Sequence, residues 1–175
     1  PRYQHTLGVM YTASAMAMCH GADLAQALTA GLLHDCAKCV PADEKIKLCE
    51  KNHIEISDAE YQNPGLLHAK LGAFFARKKY GIEDEEILMA IRSHTTGRPG
   101  MSLLEKIVYI ADYMEPGRKE LPNMMDVRHL AFEDIDKCLY RILRDSLVYL
   151  KAQDMPIDQT TEETYQYYNE LYSKH

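Results

Sequence analysis

Residues 31–38 read Gly-Leu-Leu-His-Asp-Cys-Ala-Lys, and the adjacent pair His34-Asp35 follows an apolar run near the end of a predicted helix. Burial of a carboxylate among hydrophobic residues is costly unless a cation or hydrogen bonds compensate it. A divalent metal would compensate it, with a neutral nitrogen from His34 and an oxygen from Asp35. Lys38 follows at a spacing that places all three side chains on one side of a helix. By itself the pair is weak support for a site, because chance His-Asp pairs are common.

Further nitrogen and oxygen donors are expected on otherwise buried faces of the predicted helices. His5 lies in the first predicted helix, His68 stands beside small residues, and His94 precedes a glycine-containing loop. Asp112 interrupts the apolar run 107–113, which has little reason to contain a carboxylate. Imidazoles and carboxylates in this number suffice for two metal ions that share a bridging carboxylate. The predicted metal ligands are His5, His34, Asp35, His68, His94 and Asp112.

Apolar residues recur at helical spacing along nearly the whole chain, and strand-like alternation is scarce. Asp23 with Gln26, and Ser102 with Glu105, have the spacing of helix N-terminal caps. The predicted helices span about 3–19, 23–38, 42–52, 66–80, 84–94, 102–114, 132–153 and 162–172. We therefore expect an all-α fold in one domain over residues 1–175, with a core over about 1–136 and C-terminal helices over about 132–175.

Composition excludes several classes of protein. The formal net charge of −6 argues against a broad surface for nucleic-acid polymers. No apolar run approaches the roughly 20 residues of a bilayer span, and no signal-peptide pattern opens the chain, so we expect a cytoplasmic protein without a membrane partner. The five cysteines are odd in number, which favours reduced thiols over a disulfide framework. The start at Pro1 leaves open whether native residues precede it.

The order His, His-Asp, His, His, Asp on successive predicted helices resembles the HD superfamily in its two-metal variant. Longer stretches at 2–6, 30–35, 94–97 and 105–116 resemble the bacterial YqeK proteins, a family of symmetrical diadenosine tetraphosphate hydrolases with a di-iron-type centre. The resemblance covers residues 2 to about 136 and, more loosely, the rest. It implies an HD-type helical bundle around a two-metal site. Cys36 and Cys39 are its one departure, and they leave the ligand set intact.

This resemblance implies an enzyme that hydrolyses diadenosine tetraphosphate and related dinucleoside polyphosphates to two ADP, with a hydroxide generated at two metal ions. Iron is the metal implied by the family, and histidine with carboxylate also suits manganese or cobalt. We expect Asp35 to bridge the ions. The first ion would have the ligands His5, His34, Asp35 and Asp112, and the second His68, His94 and Asp35.

Asp35 and Lys38 are the predicted catalytic residues, since Lys38 could stabilise charge on the reacting phosphate. A polyphosphate also needs other basic partners, although a single Lys or Arg is more often a solvated surface charge. The predicted substrate-binding residues are Arg2, Val40, Pro41, Ala42, Asp43, Thr95, Thr96, Gly97, Arg98, Lys106, Tyr113 and Arg118. Arg128 ranks behind them.

Two alternatives stay open. Another HD-domain nucleotidase or phosphodiesterase would use the same metals and release different products. A nucleotide sensor would bind its ligand with negligible turnover, and the complete ligand set argues against it. The expected partner is a nucleotide, and a homodimer is one arrangement that the sequence leaves open. His20, His53, His129 and His175 are expected to have no role at the metals, and the Cys-x-x-Cys spacing at 36–39 lacks the second pair that a zinc site needs.

Overall fold

The computed structural model describes residues 2–172, and the regular elements in that range are all helical. The all-α fold class predicted from the sequence is confirmed. In chain order the elements are α1 (Arg2–His20), α2 (Leu24–Leu33), α3 (Ala42–Lys51), α4 (Asp58–Gln62), a 3-10 helix (Pro64–Leu67), α5 (His68–Tyr80), α6 (Glu85–Ser93), α7 (Leu103–Met114), α8 (Met124–Glu133), α9 (Ile135–Ala152) and α10 (Gln159–Tyr172).

The buried apolar side chains of the described residues form two clusters. The larger cluster is built around α1, α2, α6, α7 and α9, with Ile107, Ile110 and Leu139 fully buried. The smaller cluster joins α3 to the start of α5 through residues such as Cys49 and Leu71. The single domain over residues 1–175 stays a prediction, because residues 1 and 173–175, including His175, lie outside the described part.

α1 and α2 pack closely because Gly31 has no side chain. A Cβ at Gly31 would stand 2.8 Å from the Met10 Cα, a distance that real Cβ atoms do not show. This close approach brings the first turns of α1 beside the end of α2. As a result His5 and His34 lie next to each other, with 3.4 Å between their Nε2 atoms.

The prediction that α2 continues to about Lys38 is wrong. The helix ends at Leu33, and the chain then tightens into turns in which the Cys36 amide donates to the Leu33 carbonyl and the Lys38 amide donates to the Asp35 carbonyl. Such three-residue hydrogen bonds are common where the last turn of a helix tightens. The HD pair therefore stands in a turn at the helix end.

The prediction of a single helix over about 132–153 is also wrong. The chain breaks at Asp134, which has extended backbone angles (φ −144, ψ 90) and caps α9 by accepting from the Lys137 amide. The residues before it form α8, most of which lies between two predicted helices where no helix was expected. Its buried residues Met124, Val127 and Ala131 do recur at helical spacing.

The cap predictions agree with the structure. Asp23 accepts from the Gln26 amide, and Ser102 forms a reciprocal capping box with Glu105. A second capping box, Ser57 with Glu60, opens the short α4, a helix that was not predicted from the sequence. Within residues 2–172, no helix has both the length and the apolar character needed to cross a membrane.

Candidate metal centre

The six predicted metal ligands come from five separate parts of the fold and meet at one place. His5 lies on α1, and His34 and Asp35 occupy the turn after α2. The remaining ligands stand at the start of α5, at the end of α6 and near the end of α7; they are His68, His94 and Asp112. Donors so far apart in sequence converge only through tertiary packing.

The first group of donors consists of His5, His34, Asp35 and Asp112. The ligand atoms of His5, His34 and Asp35 lie within 4.8 Å of one another. Asp112 Oδ1 is 3.1 Å from His5 Nε2 and 3.7 Å from His34 Nε2. Asp35 faces this group with Oδ2, at 3.8 Å from His34 Nε2 and 4.0 Å from His5 Nε2.

The second group consists of Asp35, His68 and His94, whose ligand atoms also lie within 4.8 Å of one another. Here Asp35 uses its other oxygen, since Oδ1 is 3.1 Å from His68 Nε2 and 3.6 Å from His94 Nε2. The two histidine Nε2 atoms are 3.1 Å apart. Asp35 thus stands between the groups with one oxygen toward each.

The histidine rings are held in a common orientation by hydrogen bonds at Nδ1. In three of them, Nδ1 donates to the backbone carbonyl three residues earlier; the pairs are His34–Gly31 at 2.7 Å, His68–Gly65 at 2.5 Å and His94–Ile91 at 2.7 Å. A carbonyl only accepts, so the proton of each neutral ring is on Nδ1. The Nε2 lone pairs of these rings therefore point into the centre.

The buried Asp35 Oδ1 has no hydrogen-bond donor among the described residues. It faces Nε2 atoms of His68 and His94, which carry lone pairs because their protons are on Nδ1. Acceptors that face acceptors in a buried space are unfavourable unless a cation lies between them. Nitrogen and carboxylate donors at these spacings fit divalent transition-metal ions, so the described residues hold candidate metal-binding groups.

The protonation states of several donors in the centre also favour metal binding. Burial lowers the pKa of His34 to about 4 and also lowers the pKa of His68, so both rings are neutral at physiological pH. Burial opposes the charged form of Asp112, but the hydrogen bond from His5 and nearby positive charges hold its pKa well below the usual value. Burial also opposes the charged form of Asp35, but its pKa stays below the usual value, and the Lys38 ammonium is the cation that lies beside it. Metal ligands need these deprotonated forms.

Comparisons with known proteins agree with this geometry. The family model described as "HD domain" matches residues 2–117. The chain belongs to the HD domain family.

The resemblance inferred from the sequence is confirmed by two relatives named "Bis(5'-nucleosyl)-tetraphosphatase, symmetrical". The protein from Bacillus subtilis (strain 168) is 41% identical, and the one from Halalkalibacterium halodurans is 43% identical. Each alignment covers 94% of this chain and 87% of the relative.

A solved structure also resembles this HD domain throughout. It is described as a predicted HD superfamily hydrolase involved in NAD metabolism, from Clostridium acetobutylicum. The match has a TM-score of 0.94 at 42% identity and covers 98% of this chain and 90% of that one. The helical arrangement around the candidate metal centre is therefore that of a known HD-domain structure.

Sequence reasoning missed one residue of the HD centre, Glu115. Its Oε1 accepts a hydrogen bond from His5 Nδ1 at 3.0 Å, while its Oε2 accepts from the Gly117 amide at 2.6 Å. The side chain is buried, and Gly8 faces it without a Cβ. A sequence signal was present, because Glu115 follows Asp112 by one helical turn and precedes Pro116.

Lys38 lies at the edge of the second donor group. Its Nζ donates to His68 Nε2 at 3.0 Å and is 3.5 Å from Asp35 Oδ1. The first of these contacts agrees with a lone pair on His68 Nε2. The Lys38 side chain is 40% exposed, so its ammonium group is accessible to a ligand at the centre.

A cavity of about 430 Å³ opens beside the first donor group, with His94 and Asp112 in its wall. It is also lined by three of the predicted substrate-binding residues: Thr95, Tyr113 and Arg118. Arg118 donates to the Asp112 side chain at 2.6 Å and to its backbone carbonyl at 2.7 Å. The cavity thus joins metal ligands to cationic and aromatic side chains.

Other predicted substrate residues are not among those that line this cavity. Thr96, Gly97 and Arg98 line a separate cavity with Lys70 and Thr160. Arg98 forms a two-point ion pair with the fully buried Glu105, at 2.6 and 2.7 Å. Lys106 pairs with Asp136 at 2.5 Å. The structure therefore gives Arg98 and Lys106 contacts that stabilise the helices, and it does not bring them to the metal ligands.

The remaining predicted substrate-binding residues lie around the start of α3, which follows the His34-Asp35 pair. Arg2 donates to the thiol of Cys39, and Pro41 caps α3 without a side-chain hydrogen bond. Val40 packs against the smaller apolar cluster. Ala42 and Asp43 form the first turn of the helix. Arg2 and the turn at 39–43 lie near Lys38, and their part in substrate binding stays a prediction.

Within residues 2–172, neither the histidines that were expected to have no role at the metals nor the cysteines belong to the two donor groups. His20 Nε2 contacts the Ala131 carbonyl at 2.7 Å, and His129 pairs with Glu133 on the surface. His53 adopts a positive φ of 55 at the end of α3. All five cysteines are free thiols, in agreement with the expectation from their odd number.

Proposed function

We propose that this HD-domain protein hydrolyses diadenosine tetraphosphate and related dinucleoside polyphosphates symmetrically to two ADP. The names of the relatives from Bacillus subtilis and Halalkalibacterium halodurans support this substrate class. Within the structure, the supporting observation is Asp35, which directs one carboxylate oxygen to each of two donor groups. This arrangement suits two metal ions with a shared ligand, as in hydrolases that act on phosphate esters.

The proposed ligands of the first ion are His5, His34, Asp35 and Asp112, and those of the second are His68, His94 and Asp35. We propose iron as the resident metal, with manganese or cobalt as substitutes, because imidazole and carboxylate ligands suit all three. When bound, the ions would lower the pKa of a water molecule and add positive charge beside the reacting phosphate.

The side chains of the protein position the substrate and balance its charge. Lys38 Nζ, which now contacts His68 Nε2, pairs with a non-bridging phosphate oxygen when substrate is present. Arg118 holds Asp112 and directs positive charge along the wall of the cavity. Attack falls on the phosphate second from one nucleoside, so that each product keeps two phosphates.

One nucleoside of the substrate fits the cavity beside Asp112. A volume of about 430 Å³ suits a nucleoside, and Tyr113 and Leu121 offer aromatic and apolar surface to a base. Arg118 and Lys119 stand in the same wall, where they can bind phosphate oxygens. Thr95, next to His94, adds a hydroxyl group on the side of the second donor group.

The decisive experiment is chromatography of the products after iron-loaded protein is incubated with diadenosine tetraphosphate, with metal-stripped protein as the control. ADP as the sole product supports symmetrical cleavage. ATP together with AMP would retain a metal-dependent hydrolase but move the attacked phosphate. Absence of products would contradict the proposal and favour another nucleotide substrate or a sensor.

A further inference from the structure

Lys45, on the first turns of α3, is a buried cation without a carboxylate partner. The residue is only 5% exposed. Its Nζ donates to the Lys38 carbonyl at 3.4 Å, which is long for a hydrogen bond. Among residues 2–172, no carboxylate lies within ion-pairing distance of it. An ammonium group has three donors, so most of its hydrogen-bonding capacity faces no protein acceptor.

The surroundings of Lys45 add positive charge. Burial, Lys38 and Arg2 all lower the pKa of Lys45, in that order of importance. Arg2 contacts the Cys39 thiol, and within the described chain it has no ion-pair partner. Among the described residues, the carboxylate that contacts one of these three cations is Asp35, at 3.5 Å from Lys38 Nζ, and Asp35 already serves both donor groups.

A buried cation beside two others destabilises the fold unless an anion joins them. The cluster of Arg2, Lys38 and Lys45 therefore has the character of an anion site. Lys38 belongs to this cluster and also lies at the edge of the second donor group. An anion bound by the cluster could therefore be part of the same molecule as a phosphate held at the metals. The cavity that holds Arg118 is lined by other residues.

We infer that Lys45, together with Arg2 and Lys38, binds the two phosphates of the substrate half that lies outside the Arg118 cavity. This inference rests on the proposed function. A symmetrical tetraphosphate has two phosphates on each side of the cleaved bond, so each half needs its own cations. Arg118 and Lys119 serve one half, and the Lys45 cluster serves the other. The site selects a polyphosphate chain that continues past the reacting phosphorus.

The first test measures binding without metal or turnover. Metal-stripped wild-type protein should melt at a higher temperature when inorganic tripolyphosphate is added, since a ligand of the folded state stabilises it. Lys45→Met should lose most of that shift. Lys47→Met is the matched control, because Lys47 is exposed on the same helix and pairs with Asp43 at 3.6 Å. An unchanged shift in Lys45→Met would overturn the inference.

The same variants separate a binding role from a structural one. Without ligand, Lys45→Met should melt at the same temperature as the wild type or higher, because the change removes an unpaired buried charge and keeps most of the side-chain volume. A lysine that only stabilises α3 would give a lower melting temperature with an undiminished tripolyphosphate shift. Lys45→Arg should recover part of the shift if positive charge is what binds.

Kinetics of the iron-loaded enzyme provide the second test. Lys45→Met should raise KM for diadenosine tetraphosphate about tenfold or more and change kcat less, since a charge-assisted hydrogen bond to phosphate is lost. If ADP is the product but KM is unchanged, the proposed function stands and the phosphate site fails. If tripolyphosphate binds at Lys45 but the dinucleotide is not cleaved, the site stands and the proposed function fails.

Discussion

Glu115 and His5 are joined by a hydrogen bond of 3.0 Å between Oε1 of the carboxylate and Nδ1 of the ring, although 110 positions separate them in sequence. The other three histidines of the centre are fixed by backbone carbonyls three residues before them in the chain. His5 alone among these four depends on a side chain from a distant helix. The hydrogen bond to Asp112 and the one to Glu115 raise the pKa of His5 against the effect of its burial.

We predict that Glu115→Ala weakens metal binding about 10–100-fold, since a carboxylate partner orients a ligating histidine and increases its basicity. Glu115→Gln should retain part of the affinity, because its side-chain oxygen can still accept from Nδ1. Metal content after dialysis against a graded chelator series measures the change. Glu120→Gln is the control, since Glu120 is exposed and pairs with Arg128. Equal metal retention in all variants would contradict this role.

Gly8→Ala should also weaken metal binding, because Gly8 lies against the Glu115 carboxylate that contacts His5. A Cβ at Gly8 would stand 2.3 Å from Glu115 Oε2, so the carboxylate must leave its position against His5. Metal titration of the single variants and of Gly8→Ala with Glu115→Ala forms a double-mutant cycle. The Gly8 change should cost little once the carboxylate is gone. Additive losses would mean that Gly8 acts through α1 packing instead.

The six metal ligands could be proposed from sequence because Asp35 and Asp112 place carboxylates in apolar runs, and the four histidines recur with them on successive predicted helices. The order of the motifs then pointed to the HD family. Glu115 could not be assigned in the same way, because its partner lies on a helix that only tertiary packing brings near. Lys45 was also missed, since it reads as one of several charged residues of α3 until its burial is known.

Most of the described helices were predicted from the sequence, but α4, α8 and several helix ends were not. The break at Asp134 depends on whether one carboxylate caps a new helix or continues an old one, and apolar spacing permits both readings. Likewise, nothing in residues 34–38 distinguishes a continued α2 from the tight turn that presents His34 and Asp35. Long-range packing decides such boundaries, so apolar spacing in a single sequence predicted them wrongly.

Lys38→Met should keep the metal content of the wild type and lower kcat by roughly 100-fold, which is the usual effect of removing one preorganised charge from a reacting phosphate. The change preserves side-chain length and removes the ammonium group that lies 3.5 Å from Asp35 Oδ1. Product formation under saturating substrate measures kcat, and elemental analysis measures metal. Lys51→Met, at the exposed end of α3, serves as the control. An undiminished kcat would remove Lys38 from the proposed mechanism.

Asp35→Ala should remove both ions and all activity, because Asp35 is the one residue common to the two donor groups in the described structure. His68→Ala removes a donor from the second group alone, so it should retain about one ion per chain. Metal-to-protein ratios distinguish the two variants, and Asp126→Ala, with a side chain 70% exposed, is the control. Iron should raise the melting temperature of the wild type and leave that of Asp35→Ala unchanged. Turnover by Asp35→Ala at the wild-type metal content would refute the assigned centre. Full metal retention without activity would mean that Asp35 is a catalytic group and not a bridging ligand.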